Sequence, residues 1–244
     1  MININESNKI IIRLLEKNES FLISRLGIGV ETYLTYQYLN RLPINFNYLN
    51  PLDNNAGIYN VNHTLRNYLD LYGGCIKNSD YLSCFATSIV NEQNFFIQKY
   101  NLSTIHSRSL EPFYIINENE KPWTHYLKGK KVLIINPFVE SFKKQLKNKF
   151  QIFKDPNKKI FLDDQEFIFY KSYQTIAGNH IHEDWYETYN IMCNDIKNLD
   201  FDIALLGCGG YGLPLCNFIK MNMNKSAIYI GGGLQLLFGV MGRR

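Results

Sequence analysis

A glycine-rich turn between an apolar strand and an apolar helix is the feature of this sequence that most limits its fold. Residues 203–206 (IALL) predict a buried strand, and residues 213–220 predict a helix with Pro214 in its first turn. The intervening segment 207–212 reads GCGGYG and fits the pattern G-x-G-x-x-G. We therefore expect a βα unit whose turn brings backbone N–H groups close to an anion at a helix N-terminus.

Two interpretations of this turn remain open, because the pattern alone is weakly specific. One is a site for the phosphate of a nucleotide or nucleotide sugar, and the other is a tight strand-to-helix turn that binds nothing. The candidate ligand-binding residues of the turn are consecutive or nearly so: Gly207, Gly209, Gly210, Tyr211 and Gly212.

The strand that follows argues against a dinucleotide fold. A dinucleotide site needs an Asp or Glu about 20 residues after the glycine turn to bind the ribose. Residues 226–230 form the next predicted strand, and they end in three glycines without an acid, which disfavours NAD and S-adenosylmethionine. Gly232 and Gly233 instead predict a second crowded strand end beside the first. Gln235 either contacts a base or sugar there or caps the last helix.

Strands and helices alternate along the whole chain, which predicts βαβ units and a mostly parallel sheet. The expected fold class is α/β, with a Rossmann-like sheet flanked by helices in a single domain over residues 1–244. Residues 43–57 predict a loop, and residues 60–77 predict a helix with Asn60 as its N-cap. The predicted strands are residues 20–25, 81–86, 132–136, 166–170, 203–206 and 226–230.

The turn after the first strand, residues 24–31 (SRLGIGVE), is the second informative segment. Arg25 at the strand end is suited to bidentate phosphate binding, with Gly27 giving backbone access, although a surface ion pair also explains the arginine. Glu31 falls in the first helical turn. A carboxylate there either holds a divalent metal such as Mn²⁺ or Mg²⁺, which in turn binds a diphosphate, or simply favours the helix dipole.

Composition excludes several classes of function. The net charge is only +4, and no nucleic-acid-binding motif accompanies the lysine clusters around residues 128–131 and 143–149, so we expect no nucleic acid partner. The five cysteines show no C-x-x-C spacing and predict reduced thiols and a cytoplasmic protein. No signal peptide and no transmembrane segment are predicted.

The C-terminal half resembles a group of glycosyltransferases of the GT-D fold type, found in surface-polysaccharide gene sets of bacteria and large viruses. The stretches that carry the resemblance are residues 127–138 with Trp123, 174–179, 184–185, 207–214 with Lys220, and 231–239. Arg25, Gly27 and Glu31 resemble that fold's R-x-G-D-G-E turn, whose acids handle metal and nucleotide sugar. This chain has Ile28 or Gly29 where the family's Asp stands, and one residue more before Glu31.

Inverting glycosyl transfer also needs a base, and residues 179–184 offer candidates. His182 and Asp184 are the predicted catalytic residues beside Glu31, with His180 on the same side of the segment; exposed histidines and a helix N-cap at Asp184 are the alternative. Asn136 ends a buried strand, where it either binds substrate or forms an Asx turn. Trp123 and Trp185 either stack on a sugar or pack in the core.

Three functions of different classes follow. The first, which the resemblance implies, is a glycosyltransferase of polysaccharide biosynthesis that moves a sugar from a nucleotide-sugar donor to a glycan or lipid-linked acceptor. The second is a non-catalytic nucleotide- or sugar-binding module, which the missing Asp favours. The third is a different enzyme on the same sheet, such as a nucleotide-processing hydrolase.

Overall fold

The computed structural model describes residues 3–17, 19–27, 29–86, 88–115, 120–148 and 159–241. Its described strands form one sheet in the order β3-β2-β1-β7-β6-β4-β5, in which every neighbouring pair is parallel. The predicted mostly parallel α/β fold is therefore confirmed. The strands are β1 (Leu22–Arg25), β2 (Tyr81–Cys84), β3 (Ser103–His106), β4 (Lys131–Asn136), β5 (Glu166–Lys171), β6 (Ile203–Leu206) and β7 (Ser226–Tyr229).

Helices connect the strands and cover both faces of the sheet. Side chains cap two of the helices: Asn3 accepts a hydrogen bond from the Glu6 N–H at 2.7 Å, and Asp184 caps α7 in the same way. The helices are α1 (Ile4–Glu16), α2 (Val30–Leu39), α3 (Leu49–Pro51), α4 (Leu65–Lys77), α5 (Val90–Tyr100), α6 (Val139–Lys147), α7 (Trp185–Lys197), α8 (Gly212–Met223) and α9 (Gly233–Leu237).

Two hydrophobic clusters form the core, one on each face of the sheet. Buried residues of α2, α4, α5, α7 and α8 share one cluster, and those of α1, α6 and α9 share the other. Trp185 belongs to the first and Trp123 to the second, and both are at most 1 % exposed. Their indole N–H groups donate to Thr64 and to the Ser109 carbonyl, so both tryptophans are core residues and do not stack on a ligand.

Two predicted elements were wrong in detail, and one strand was missed. The helix predicted from Asn60 begins at Leu65, because Asn60 has a positive φ of 51° and its side chain donates to the Glu183 carbonyl. The predicted loop 43–57 contains short helical turns, including a wide π turn at Leu52–Ala56. β3 was missed, since Ile105 is the single apolar residue of Ser103–His106 and the strand lies at an edge of the sheet.

The order of the strands creates a crevice at the carboxyl edge of the sheet. β1 and β7 are adjacent, yet α2, which follows β1, and α9, which follows β7, pack on opposite faces. Helices that leave neighbouring parallel strands on opposite sides open the space beyond the strand ends, and open α/β sheets bind their ligands there. The crevice is therefore where a ligand site is expected.

Candidate ligand-binding cleft

Two adjoining cavities occupy this crevice. The Arg25 cavity, about 280 Å³, lies at the end of β1 and the start of α2, and it is lined by Arg25, Gly27 and Glu31 among others. The Gln235 cavity, about 220 Å³, lies beyond β4 and β6. Both are lined by the same five residues where they meet, so they form one cleft: Asn55, Gly209, Tyr229, Gly231 and Gly232.

The guanidinium of Arg25 contacts three neighbouring groups of the protein. Its Nη1 donates to the Ile230 carbonyl at 2.6 Å and lies 3.8 Å from a carboxylate oxygen of Glu111, while its guanidinium stacks 4.5 Å from the Phe85 ring centroid. Burial lowers the pKa of Arg25, but an arginine remains charged at any physiological pH. No hydrogen bond joins its Nε or Nη2 to a described residue, so these donors remain for a ligand.

Glu31 lies in the first turn of α2 and lines the same cavity. Its carboxylate sits directly against Gly27, where an added Cβ would be 2.6 Å from Oε1. Burial raises the pKa of Glu31. Burial is also the main cause of the raised pKa values of Tyr68, Tyr72 and Tyr229 around it, and the charge of Glu31 adds to the effect. Burial therefore favours the protonated form of this carboxyl group over the charged one.

The glycine turn shapes the cleft mainly through packing. Gly209 has a φ of +61° and lines both cavities, and Gly207 and Tyr211 line the Gln235 cavity. Gly210 and Gly212 line neither: a Cβ at Gly210 would meet Ile58 at 2.6 Å, and one at Gly212 would meet the Tyr229 ring at 2.1 Å. These two glycines make room for neighbouring side chains, and ligand binding by their backbone stays a prediction.

Gly233 and Asn136 also contact other parts of the protein and help to shape the cleft. A Cβ at Gly233 would lie 2.8 Å from Glu111 Oε1, and Gly233 lines neither cavity, whereas its neighbour Gly232 lines both. Asn136 is fully buried; its amide donates to the Gly207 carbonyl at 2.6 Å, and its Oδ1 accepts from the Phe138 N–H at 2.9 Å. It forms the Asx turn that was the alternative, and a substrate contact at Asn136 stays an untested prediction.

The structure places His182 and Asp184 outside both cavities. Asp184 Oδ1 accepts from the Glu187 N–H at 2.9 Å and so caps α7. His182 Nδ1 is 2.9 Å from the Thr188 hydroxyl, and His180 Nε2 is 2.9 Å from Asp53. The two histidines therefore have different partners, and the geometry gives the catalytic prediction for His182 and Asp184 no support.

The donor set around Glu31 does not amount to a resident metal site. Within the part of the chain that the structure describes, no three His, Cys, Asp or Glu side chains come together as metal ligands. Glu31 is the only carboxylate among the described residues lining either cavity. Mg²⁺ is usually held by one or two carboxylates together with substrate phosphates, so any metal here would depend mostly on its ligand.

Sequence patterns missed several residues of the cleft. Asn55 comes from the π turn within the predicted loop, and Tyr229 is the last residue of β7. Glu111 lines neither cavity, but it is only 8 % exposed, binds Arg108 at 2.9 Å and lies beside Arg25. The sequence does not indicate the contact between Glu111 and Arg25, because Arg25 is 86 positions earlier in the chain and only the fold brings the two side chains together.

Comparison with known families shows the family to which this chain belongs. The chain matches the model of the GT-D fold-like domain over residues 3–237, so it belongs to the GT-D-like family. Neither the curated proteins nor the solved structures give a match. No helix in the described ranges combines the length and the apolar character needed to cross a membrane.

Proposed function

We propose that this protein is a glycosyltransferase that uses a nucleotide-sugar donor, with the donor diphosphate bound in the Arg25 cavity. The observation that carries the proposal is the buried guanidinium of Arg25, which is fixed by Ile230 and Glu111 but keeps donors for the cavity. α2 begins in the same cavity without a side-chain cap, so its positive end adds to the attraction of an anion. The GT-D-like family membership supports transfer of a sugar.

In this proposal Arg25 and Glu31 have complementary roles. As the bond between the sugar C1 and the phosphate oxygen breaks, negative charge grows on the diphosphate, and Arg25 stabilises it. As the new bond from the acceptor hydroxyl to C1 forms, the hydroxyl proton passes to Glu31. The carboxylate of Glu31 is the only acid or histidine base among the described residues that line the cleft. The acceptor is a glycan or a lipid-linked sugar.

Calorimetric titration with UDP, GDP and dTDP tests the binding step. Arg25→Lys keeps the charge but loses the planar fork, and we expect it to weaken binding by about tenfold or more, since hydrogen bonds to charged groups contribute about 1.5–3 kcal/mol. Arg66→Lys is the matched control, because the Arg66 side chain is 81 % exposed on α4. Equal affinities of both variants for every nucleotide would remove Arg25 from the proposal.

Transfer itself is tested with Glu31→Gln. Loss of a general base typically costs about 10²–10⁴ in rate, and we expect a loss of that size while nucleotide affinity is retained. Unchanged turnover in a folded Glu31→Gln protein would leave Glu31 as a residue that only favours the start of α2.

A binding module without transfer activity is the second candidate. It is favoured by the lone carboxylate in the described cleft and by the engagement of His180 and His182 elsewhere. Tight binding of a nucleotide sugar, with neither transfer to an acceptor nor hydrolysis detected by chromatography, would select this candidate. Release of the free sugar to water would instead select a hydrolase.

A further inference from the structure

The Gln235 cavity differs from the Arg25 cavity in charge. None of its described lining residues is Asp, Glu, Lys, Arg or His. Its polar side chains carry carboxamides and hydroxyls, and its apolar surface includes the rings of Phe138 and Tyr173. An uncharged cavity continues directly from one that contains a buried cation, so the cleft is suited to a ligand with one anionic and one neutral part.

The hydrogen-bonding groups of the Gln235 cavity divide into two sets. The hydroxyls of Thr175, Tyr211 and Tyr229 already bond to backbone carbonyls at 2.8–2.9 Å. The side-chain amides of Gln174 and Gln235 make no hydrogen bond to a described residue, although both line the cavity. Each carboxamide offers one acceptor oxygen and two donor hydrogens, which match hydroxyl groups that both donate and accept.

We propose that the Gln235 cavity binds the sugar of the donor and selects an uncharged sugar through Gln174 and Gln235. This inference rests on the proposed function. A uronic acid or an amino sugar would lose hydration on entering the cavity and would find no opposite charge among its described lining residues, which is costly. A neutral hexose exchanges its water hydrogen bonds for those of the two glutamines.

Sugar 1-phosphates test the cavity without a nucleotide. Two-dimensional NMR of the ¹⁵N-labelled protein follows the side-chain amide signals of glutamine during titration with glucose 1-phosphate and glucuronic acid 1-phosphate. We expect glucose 1-phosphate to shift the Gln235 amide signal and to bind at least about tenfold more tightly than glucuronic acid 1-phosphate, because only the latter brings an unpaired charge. Equal affinities, or no shift of Gln235 with either compound, would overturn the proposal.

A variant that adds a positive charge to the cavity provides a second test of the proposal. Gln235→Arg places a cation in the cavity, and we expect it to reverse the preference between the same two sugar phosphates. Leu236→Arg is the matched control, since it adds the same charge at the next position of α9, and Leu236 is 41 % exposed and outside the described lining of the cavity. A similar reversal with Leu236→Arg would mean general attraction and would overturn the proposal.

The Gln235→Arg variant also distinguishes binding of the sugar from binding of the nucleobase. It further distinguishes failure of this inference from failure of the proposed function. If Gln235→Arg changes the affinity for UDP, GDP or dTDP as much as that for a sugar phosphate, the cavity holds the base and the inference is wrong. If the sugar preferences hold but no acceptor is glycosylated, the proposed transfer fails while the cavity assignment stands.

Discussion

Gly232 offers the most direct test of the cleft, because its position is open where other glycines are crowded. Gly232 has φ −60° and ψ −23°, and an added Cβ would meet no atom within 4 Å. Alanine is compatible with that backbone, so Gly232→Ala should raise the free energy of unfolding by about 0.4–1 kcal/mol through a less flexible unfolded chain. Gly232 lines both cavities, so the methyl group is added at the position where they meet.

We therefore expect Gly232→Ala to weaken ligand binding while the fold becomes no less stable. An extra methyl in a filled space costs about 1–3 kcal/mol, which corresponds to roughly 5- to 150-fold in Kd. Calorimetry with the tightest-binding nucleoside diphosphate or its sugar conjugate gives the affinity, and urea denaturation gives the stability. The two measurements should move in opposite directions, which a purely structural glycine would not produce.

Gly74→Ala is the matched control for this experiment. Gly74 lies in α4 and also has no atom within 4 Å of an added Cβ, but it lines neither cavity. It should show a comparable gain in stability and unchanged affinity. If Gly232→Ala binds every nucleotide and nucleotide sugar with the affinity of the native chain, ligands do not contact Gly232 and the assignment of the ligand site to this cleft is wrong.

Three further predictions concern the framework and the acid of the cleft. Gly209→Ala should cost at least about 1–2 kcal/mol, because Gly209 has φ +61° and the new Cβ would lie 2.9 Å from the Ala56 carbonyl oxygen; urea denaturation measures this, and a neutral effect would contradict it. Asn136→Ala should cost about 1–3 kcal/mol by leaving the buried Gly207 carbonyl without its partner, and thermal unfolding of unchanged midpoint would refute that role. Burial raises the pKa of Glu31, so the folded state holds this proton more tightly and ionised Glu31 destabilises the fold above its folded pKa. Glu31→Gln should therefore be more stable than the native chain at pH 8, with a difference that disappears as the pH falls to about 4; a pH-independent difference would exclude a raised pKa.

The sequence was sufficient where the information is local. The strand Ile203–Leu206 was predicted at its observed bounds, because a run of apolar residues followed by glycines allows little else. Glu31 was placed in the first turn of its helix, and Asp184 was recognised as a possible N-cap, because acidic residues at the start of a helical pattern are a local signal. The alternation of such elements predicted the parallel sheet, and motifs in the C-terminal half indicated the GT-D fold, which the family match supports.

The sequence could not rank the glycines of the cleft. Gly209 and Gly212 are both glycine positions of the pattern, yet Gly209 lines the cleft and Gly212 makes room for Tyr229. Gly210, between them, makes room for Ile58. Whether the space beside a glycine is filled or open depends on the residues that pack against that glycine, and these residues come from distant parts of the chain. The same is true of Gly232 and Gly233, which are adjacent in sequence but open in one case and packed against Glu111 in the other.

The sequence by itself determined the class of fold, the position of the carboxyl edge and the two residues, Arg25 and Glu31, that give this edge its charge. Only the tertiary structure decided which cavity they share, that Glu111 and Ile230 fix Arg25, and that the neighbouring cavity is lined by uncharged described residues. The physical reason is that periodicity and turn chemistry act over a few residues. The charge and shape of a cleft, in contrast, are set by side chains from β1, β7, α9 and the π turn that meet only after the chain has folded.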